Sequence, residues 1–126
     1  MDRSRTILVF VGLSGFLAVG AGAFGAHGVS DPAAKALLQT GGHYQLLHAT
    51  AALGCWLAAR QGFAKAMPSA WLFLGGGLVF AASLYLLALG APAILGAVTP
   101  IGGLALLAGW ANLALAGLRG QGKPAI

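Results

Sequence analysis

Hydrophobic and polar positions divide this chain into four apolar segments, separated by short connectors rich in polar residues, glycine and proline. The segments are Thr6 to Ala26, Tyr44 to Ala59, Ala70 to Gly90 and Val98 to Leu118. About 20 helical residues, at a rise of roughly 1.5 Å each, cross the hydrocarbon core of a bilayer. Three segments have that length, and the second gains it by including its polar start, His43 to Gln45. The pattern therefore predicts four transmembrane helices, at about 6–26, 43–60, 70–90 and 98–118.

Composition places the chain in a membrane. Hydrophobic residues make up 59% of its 126 residues and charged residues only 7%, whereas a soluble domain usually carries about 25% charged residues. The net charge of +5 is not typical of a nucleic-acid binder, because the basic residues are spread singly along the chain rather than clustered on one face. We expect a single all-α transmembrane domain over residues 1–126, an integral four-helix bundle surrounded by the lipid bilayer, with no nucleic-acid partner.

The basic residues also predict the orientation of the helices. Those that precede helix one, follow helix four or lie between helices two and three are Arg3, Arg5, Arg60, Lys65, Arg119 and Lys123. The connector between helices one and two holds only Lys35. Short loops rich in Lys and Arg stay on the cytoplasmic side of a membrane. Both termini are therefore expected in the cytoplasm, or in the matrix if the protein is mitochondrial.

The first segment has a second interpretation. Arg3 and Arg5 ahead of an apolar run that reaches Ala21-Gly22-Ala23 resemble a secretory signal with an A-x-A cleavage site. The apolar run is longer than the hydrophobic region of a typical signal, and no soluble domain follows it. We therefore expect the segment to be the first transmembrane helix.

The connector from Gly28 to Gly42 predicts a further short helix. Asp31 followed by Pro32 is typical of a helix start, with Asp31 as the N-cap and Pro32 in the first turn. Residues 33–40 would then lie at the membrane interface as a short amphipathic helix between helices one and two. Gly41-Gly42 is expected to end or kink it, because glycine is a poor helix former.

Small residues recur at helical spacing on the first and fourth segments. In lipid, helices associate through close packing rather than through hydrophobic exclusion, so small residues mark contact faces. A composition with 21 glycines also produces such spacings by chance, and this alternative stays open. The candidate packing residues are Ser14, Ala18, Gly22, Ala26, Gly102, Ala105, Gly109 and Asn112.

Polar and titratable side chains gather in the half of the membrane opposite the termini. The candidate polar site consists of His27, Tyr44, Gln45, His48 and Tyr85. Tyr44 and Gln45 share a helix face with His48, because they precede it by four and three residues. His27, at the end of helix one, is expected to approach that face. Ionisable residues at membrane depth are costly and usually face the protein interior.

Three interpretations of this polar site remain open. The histidines can be structural, hydrogen-bonded to the backbone or to the neighbouring Tyr and Gln side chains. They can instead form a ligand or proton site, in which an imidazole near the outer surface changes its charge. They can also ligate a metal or a haem, although two histidines without a neighbouring carboxylate or thiolate are a thin ligand set for zinc. We expect the structural role, with no metal and no cofactor.

The sequence lacks the motifs of common catalytic sites. Asp31 is the only acidic residue beyond the N-terminus, which excludes chemistry by paired carboxylates. No G-x-S-x-G motif, H-E-x-x-H motif or phosphate-binding glycine loop occurs. Cys55, the only cysteine, allows no intramolecular disulfide. The chain is therefore not expected to be an enzyme.

Four stretches of the sequence resemble the signature blocks of a known family. They are GAFGAHG at 22–28, YQLLHA at 44–49, ASLYLLAL at 82–89 and TPIGGLALLAGW at 99–110. In order and coverage they are similar to domain-of-unknown-function family 423, the YgdD-like small membrane proteins of bacteria, which have mitochondrial relatives. The resemblance implies a four-helix protein of the bacterial inner membrane and brings no activity, substrate or cofactor. Relatives tend to have larger or charged residues just before the Tyr-Gln pair, where this chain has Gly41-Gly42-His43.

The leading functional hypothesis is a non-enzymatic structural or accessory component of the membrane, which assembles with itself or with a larger membrane complex. The alternative is a small conduit or transporter for protons or a small solute that uses the candidate polar site. A conduit needs polar residues through the whole thickness of the membrane. Toward the inner half, helices one and four offer only Ser14 and Asn112, so the pattern favours the structural hypothesis.

The predicted orientation can be tested with topology reporters. A reporter fused at Gln121 should report the cytoplasm, and one inserted near Asp31 should report the opposite compartment, because the basic residues hold the two termini inside. Paired alkaline phosphatase and fluorescent-protein fusions measure this directly. Signals from the same compartment at both positions would contradict the four-helix topology with both termini inside.

Overall fold

The structure, a computed structural model, describes residues 2–122 and consists of four long helices. They are α1 (Arg3–His27), α2 (Pro32–Arg60), α3 (Met67–Ala88) and α4 (Thr99–Arg119). Short 3-10 helices at Ala64–Ala66 and Ala93–Ala97 lead into α3 and α4. No strand occurs within the described residues. The prediction of an all-α, four-helix fold is confirmed.

Three of these helical regions are long and apolar enough to cross a membrane: Arg3–His27, Ala64–Ala88 and Ala93–Arg119. The second helix is less apolar, but it packs along both α1 and α3, while α3 packs in turn along α4. The helices thus form a row of antiparallel neighbours in chain order, with α2 and α3 inside it. Large apolar side chains cover the outside, among them Phe16 at 82% and Leu118 at 84% exposure. Such surface suits lipid, since soluble monomers rarely expose large apolar patches.

Short polar caps fix where α1 and α2 begin. The carboxylate of Asp2 accepts a hydrogen bond from the Arg5 backbone N–H at 2.8 Å, and the carboxylate of Asp31 accepts one from the Ala34 N–H at 3.0 Å. Pro32 stands at the first position of α2, where its missing N–H costs nothing. The Lys35 ammonium donates to the Ala26 carbonyl at 2.9 Å, and so gives a hydrogen-bond partner to a carbonyl in the last turn of α1. The turn between the two helices is therefore only four residues long, from 28 to 31.

The structure differs from the sequence-based prediction at the Gly41-Gly42 pair. Residues 33–40 are the first turns of α2 rather than a separate interfacial helix, and α2 runs through both glycines without a break. A β-carbon on Gly41 would lie 2.6 Å from the Tyr85 ring, and one on Gly42 would lie 2.8 Å from the Ala18 carbonyl oxygen. The pair is thus an interior contact to α3 on one side and to α1 on the other. Close packing at these two contacts offsets the helix-propensity cost of glycine, about 1 kcal/mol each.

The contact between α3 and α4 is equally close. A β-carbon on Gly102 would lie 2.5 Å from the Phe80 nitrogen, one on Gly76 would lie 2.8 Å from the Ala105 β-carbon, and one on Gly109 would lie 2.6 Å from the Phe73 ring. The backbones can approach this far because these positions carry no side chain. The candidate packing residues of α4 therefore lie in a tight interface with α3.

On α1 the candidate packing residues divide. Ala18 is buried and Gly22 lies beside Gly42, but Ser14 is half-buried and Ala26 is exposed. Gly25 takes the place expected for Ala26, since a β-carbon there would lie 2.9 Å from the Leu38 β-carbon. A β-carbon on Gly22 itself would meet nothing within 4 Å. The glycine most sensitive to substitution at this interface is therefore Gly42 on α2.

Substituting Gly42 should show how much the α1–α2 contact depends on the missing side chain. Gly42→Ala places a methyl group against the Ala18 backbone, and we expect a loss of about 1–3 kcal/mol of stability from overpacking. Gly54→Ala, on the same helix, is the matched control, because a β-carbon there meets nothing within 4 Å. It should leave stability unchanged or raise it slightly. Thermal unfolding in detergent measures both, and equal melting temperatures for the two variants would contradict the proposed contact.

Candidate functional site

His48 is the centre of the candidate site and links α2 to α4. It is buried, with 4% exposure. Its Nδ1 lies 2.7 Å from the Tyr44 carbonyl oxygen, and its Nε2 lies 3.0 Å from the Trp110 Nε1. A carbonyl only accepts and an indole N–H only donates, so the pairing fits a neutral imidazole with its hydrogen on Nδ1. Both ring nitrogens are then occupied by hydrogen bonds within the protein.

Aromatic rings surround His48 and hold its orientation. The Phe73 ring centroid lies 5.4 Å from that of His48 and 4.6 Å from that of Trp110. The Tyr44 ring is stacked against His48 at 6.1 Å and lies 4.9 Å from the Phe80 ring. Each aromatic pair of this kind adds about 0.5–1.5 kcal/mol beyond its buried area. The imidazole is thus fixed by packing as well as by its hydrogen bonds.

A groove between α2 and α4 lies over this aromatic cluster. It has a volume of about 730 Å³, and its walls are almost entirely apolar, with Tyr44 and Trp110 among the lining residues. His48 also lines it, but the imidazole nitrogens point to Tyr44 and Trp110 within the protein. The groove therefore offers an apolar surface with few free polar groups.

Gln45 and Tyr85 form a second polar pair, toward α3. The Tyr85 hydroxyl donates to the Gln45 Oε1 at 2.8 Å, and the Tyr85 ring lies against Gly41. Gln45 is almost fully buried, with 2% exposure, and its Nε2 has no hydrogen-bond partner among the described residues. The bond ties α2 to α3 one turn beyond the Gly41 contact.

His27 lies apart from the other candidate residues. It is exposed at the last position of α1, whereas Gly42 packs beside Ala18 and Gly22. Five residues separate Gly22 from His27, about 7–8 Å along the helix axis, and Gln45 and His48 extend from Gly42 in the opposite direction. Because the turn between α1 and α2 is short, the end of α1 faces the first turns of α2. The predicted approach of His27 to the Tyr44 face does not occur in this structure.

The candidate polar site therefore separates into three parts. Tyr44 and His48 face the groove, Gln45 and Tyr85 form the pair toward α3, and His27 is on the surface. Within residues 2–122, no group of three or more His, Cys, Asp or Glu side chains is arranged to hold a metal ion.

Sequence reasoning missed two residues of the site, Trp110 and Phe73. Both lie inside apolar helices, where a Trp or Phe looks like a side chain facing lipid or core. The available signal was the indole N–H of Trp110, a hydrogen-bond donor inside an apolar segment that needs an acceptor there.

Further polar groups join α3 and α4 at the opposite end of the helices. The Ser69 hydroxyl donates to the Gly109 carbonyl at 2.8 Å. The Asn112 side-chain amide donates to the Ser69 hydroxyl at 2.8 Å and to the Lys65 carbonyl at 3.0 Å. Nearer the α3–α4 turn, the Ser83 and Thr99 hydroxyls lie 2.6 Å apart. These bonds act between helices, as polar side chains in membrane proteins commonly do.

Comparison with known proteins identifies the family. The model of the family described as "Protein of unknown function (DUF423)" matches residues 21–103, which include every candidate polar residue but not Trp110. No solved structure matches the chain.

Relatives of similar length come from several bacteria. A "UPF0382 membrane protein" of Haemophilus influenzae is 46% identical over 112 residues, which cover 85% of this chain and 89% of the relative. The "UPF0382 inner membrane protein YgdD" of Escherichia coli K12 is 38% identical over 92% of each chain. The "UPF0382 membrane protein YwdK" of Bacillus subtilis is 33% identical over 91% of this chain and 98% of the relative. The chain is a membrane protein of the DUF423 family and is similar over most of its length to these UPF0382 proteins.

Proposed function

We propose that this protein is a non-enzymatic structural or accessory component of the bacterial inner membrane, and that its polar residues hold its helices together. The observation that carries the proposal is the pairing of His48. Both of its ring nitrogens are engaged, one by the Tyr44 carbonyl and one by the Trp110 indole. Binding a metal, a ligand or a proton at His48 would therefore require breaking a bond inside the protein.

Other buried polar groups support the same role. The Ser69 hydroxyl and Asn112 amide bridge α3 and α4, and the Tyr85 hydroxyl bridges α3 and α2. In a bilayer these bonds and close packing replace the hydrophobic drive that holds soluble helices together.

The alternative, a conduit for protons or a small solute, finds less support in this arrangement. The Ser69–Asn112 pair joins α3 to α4, the His48–Trp110 pair joins α2 to α4, and the Phe73 ring packs against His48 and Trp110. Phe73 is fully buried and comes one turn after Ser69 on α3. It interrupts the line of polar groups that a proton or hydrated solute would need.

The proposal includes an orientation with both termini in the cytoplasm. The E. coli relative is named an inner membrane protein. Arg3, Arg5, Arg60, Lys65 and Arg119 all belong to the end of the molecule where α1 and α3 begin and α2 and α4 end; Lys123 lies outside the described residues. An end this rich in Arg and Lys favours the cytoplasmic side.

We further propose that the protein assembles with copies of itself or with a larger membrane complex. On α1, Phe16 is 82% exposed, and β-carbons on Gly12 and Gly20, one turn to either side, would meet nothing within 4 Å. A protruding ring between small residues offers a surface against which a further helix can pack closely.

The structural role of the His48–Trp110 bond predicts a stability effect. Trp110→Phe keeps an aromatic ring but leaves the His48 Nε2 without its donor, and we expect a loss of about 1–3 kcal/mol. Trp71→Phe is the matched control, because no hydrogen bond is formed by the Trp71 indole within residues 2–122. Thermal unfolding in detergent should separate the two variants. If Trp110→Phe melts like the control, the bond does not hold α2 and α4 together.

A flux measurement separates the structural role from the conduit. Liposomes that contain the protein and a pH-sensitive dye should show no more proton flux than empty liposomes, and His48→Gln should not change this. The variant should stay folded, because an amide can both donate and accept at the same position. Proton flux that the wild type supports and His48→Gln abolishes would overturn the proposal in favour of the conduit.

A further inference from the structure

Two adjoining cavities lie between α1 and α3, away from the groove of the aromatic cluster. The first, here the Arg3 cavity, has a volume of about 660 Å³ and is lined by Arg3, Met67, Pro68 and Trp71. The second, here the Gly75 groove, has a volume of about 200 Å³ and is lined by Phe10, Ser14, Trp71, Leu74, Gly75 and Leu78. Trp71 borders both, so the two cavities adjoin and form a stepped depression between α1 and α3.

The depth of this depression corresponds to one leaflet of a bilayer. Arg3 and Met67 are the first residues of α1 and α3, so the Arg3 cavity lies at the membrane surface. Leu78 comes eleven residues after Met67, which is about 16 Å along the helix axis. The hydrocarbon core is roughly 30 Å thick, so the Gly75 groove reaches about its midplane. A molecule with a polar head and one leaflet's length of hydrocarbon matches this path.

The charge of the Arg3 cavity favours an anionic head. The protein has two acidic residues, Asp2 and Asp31, and the Asp2 carboxylate, the one at this end, already accepts from the Arg5 backbone. Arg3 lines the cavity, and its guanidinium matches the geometry of a phosphate in a bidentate pair. Trp71, 39% exposed at the same wall, belongs to the residue type that favours the headgroup level of a membrane.

The Gly75 groove is not filled by helix packing. A β-carbon on Gly75 would meet nothing within 4 Å, whereas one on the adjacent Gly76 would lie 2.8 Å from the Ala105 β-carbon. Gly76 is thus needed for the α3–α4 contact, and Gly75 leaves an open, apolar floor beside Phe10 and Leu78.

We propose that the Arg3 cavity and the Gly75 groove bind one anionic phospholipid from the leaflet at this end of the molecule. The phosphate pairs with the Arg3 guanidinium, Trp71 packs against the glycerol region, and one acyl chain lies in the Gly75 groove. The site is separate from the aromatic cluster around His48 and does not depend on the structural role proposed for it.

Native mass spectrometry of the full-length protein with added lipids tests the site. Phosphatidylglycerol and phosphatidylcholine with identical acyl chains are the two probes. One phosphatidylglycerol should bind per protein, about tenfold more tightly than phosphatidylcholine, because only the anionic lipid keeps a net charge for the Arg3 pair. Equal affinities for the two lipids would overturn the proposed headgroup recognition.

Two variants separate a built site from general attraction of anionic lipid. Arg3→Gln should reduce the affinity for phosphatidylglycerol about tenfold and leave that for phosphatidylcholine unchanged. Arg5→Gln, the matched control, removes the same charge from the same helix end at a position outside the cavity lining, and it should have little effect. Equal losses in both variants would show a diffuse surface charge and overturn the proposal.

A third variant tests the acyl chain. Gly75→Leu fills the groove without changing the charge, and it should weaken binding of both lipids, while Gly54→Leu, on an open face of α2, should not. Unchanged lipid binding in Gly75→Leu would overturn the proposal. So would a variant that binds lipid normally but no longer forms a dimer, because the groove would then hold a second copy of the protein. Melting temperatures without lipid identify a misfolded variant, and Leu78→Trp then fills the same groove from its deeper end.

Discussion

The placement of α2 between α1 and α3 depends on two contacts that leave no room for a β-carbon. At Gly42 the backbone of α1 lies against α2, and at Gly41 the Tyr85 ring of α3 lies against α2. Consecutive residues in a helix point about 100° apart, so one glycine pair can serve two neighbouring helices at the same depth. In lipid there is no hydrophobic drive to bring these helices together. The contacts at Gly41 and Gly42 therefore set the distance and the register of α2 against its two neighbours, and the other contacts depend on them.

The aromatic cluster depends on that placement. With α2 fixed against α3, His48 lies over Phe73, and α3 carries α4 through the close contacts at Gly76 and Gly102. Trp110 then reaches the His48 Nε2 across a gap where the two backbones do not pack closely. The backbones of α2 and α4 stay apart, and the hydrogen bond between the two side chains spans the gap. The rest of the gap is the groove between α2 and α4.

Hydropathy alone predicted four helices and a membrane location, because both depend on the length and composition of local segments. The role of Gly41-Gly42 could not be predicted in that way. A glycine pair lowers helix propensity equally whether it ends a helix or lies in an interface. The residues that decide the outcome, Ala18 and Tyr85, are distant in sequence, and their position is known only once the helices are packed.

The same limit explains the candidate polar site. Gln45 and His48 share a helix face by spacing, yet residues three apart still point about 60° from each other. That angle is enough to direct Gln45 toward Tyr85 and His48 toward Trp110. His27 was assigned to the correct end of the molecule, but its depth depended on the length of the turn. Four residues in place of fifteen place it beside the first turns of α2.

The polar side chains of α2 also account for its lower hydropathy. Gln45 and His48 face neighbouring helices, so α2 needs less apolar sequence than a helix that meets lipid all round. The Nε2 of Gln45 has no hydrogen-bond partner within residues 2–122, which shows the cost of this arrangement, since a buried amide without a partner loses about 1–3 kcal/mol. Two adjacent turns of α2 contact the Tyr85 side chain: Gln45 accepts a hydrogen bond from its hydroxyl, and Gly41 lies against its ring. Together they fix the register of α2 against α3, because a shift by one turn would move the ring onto a position that carries a side chain.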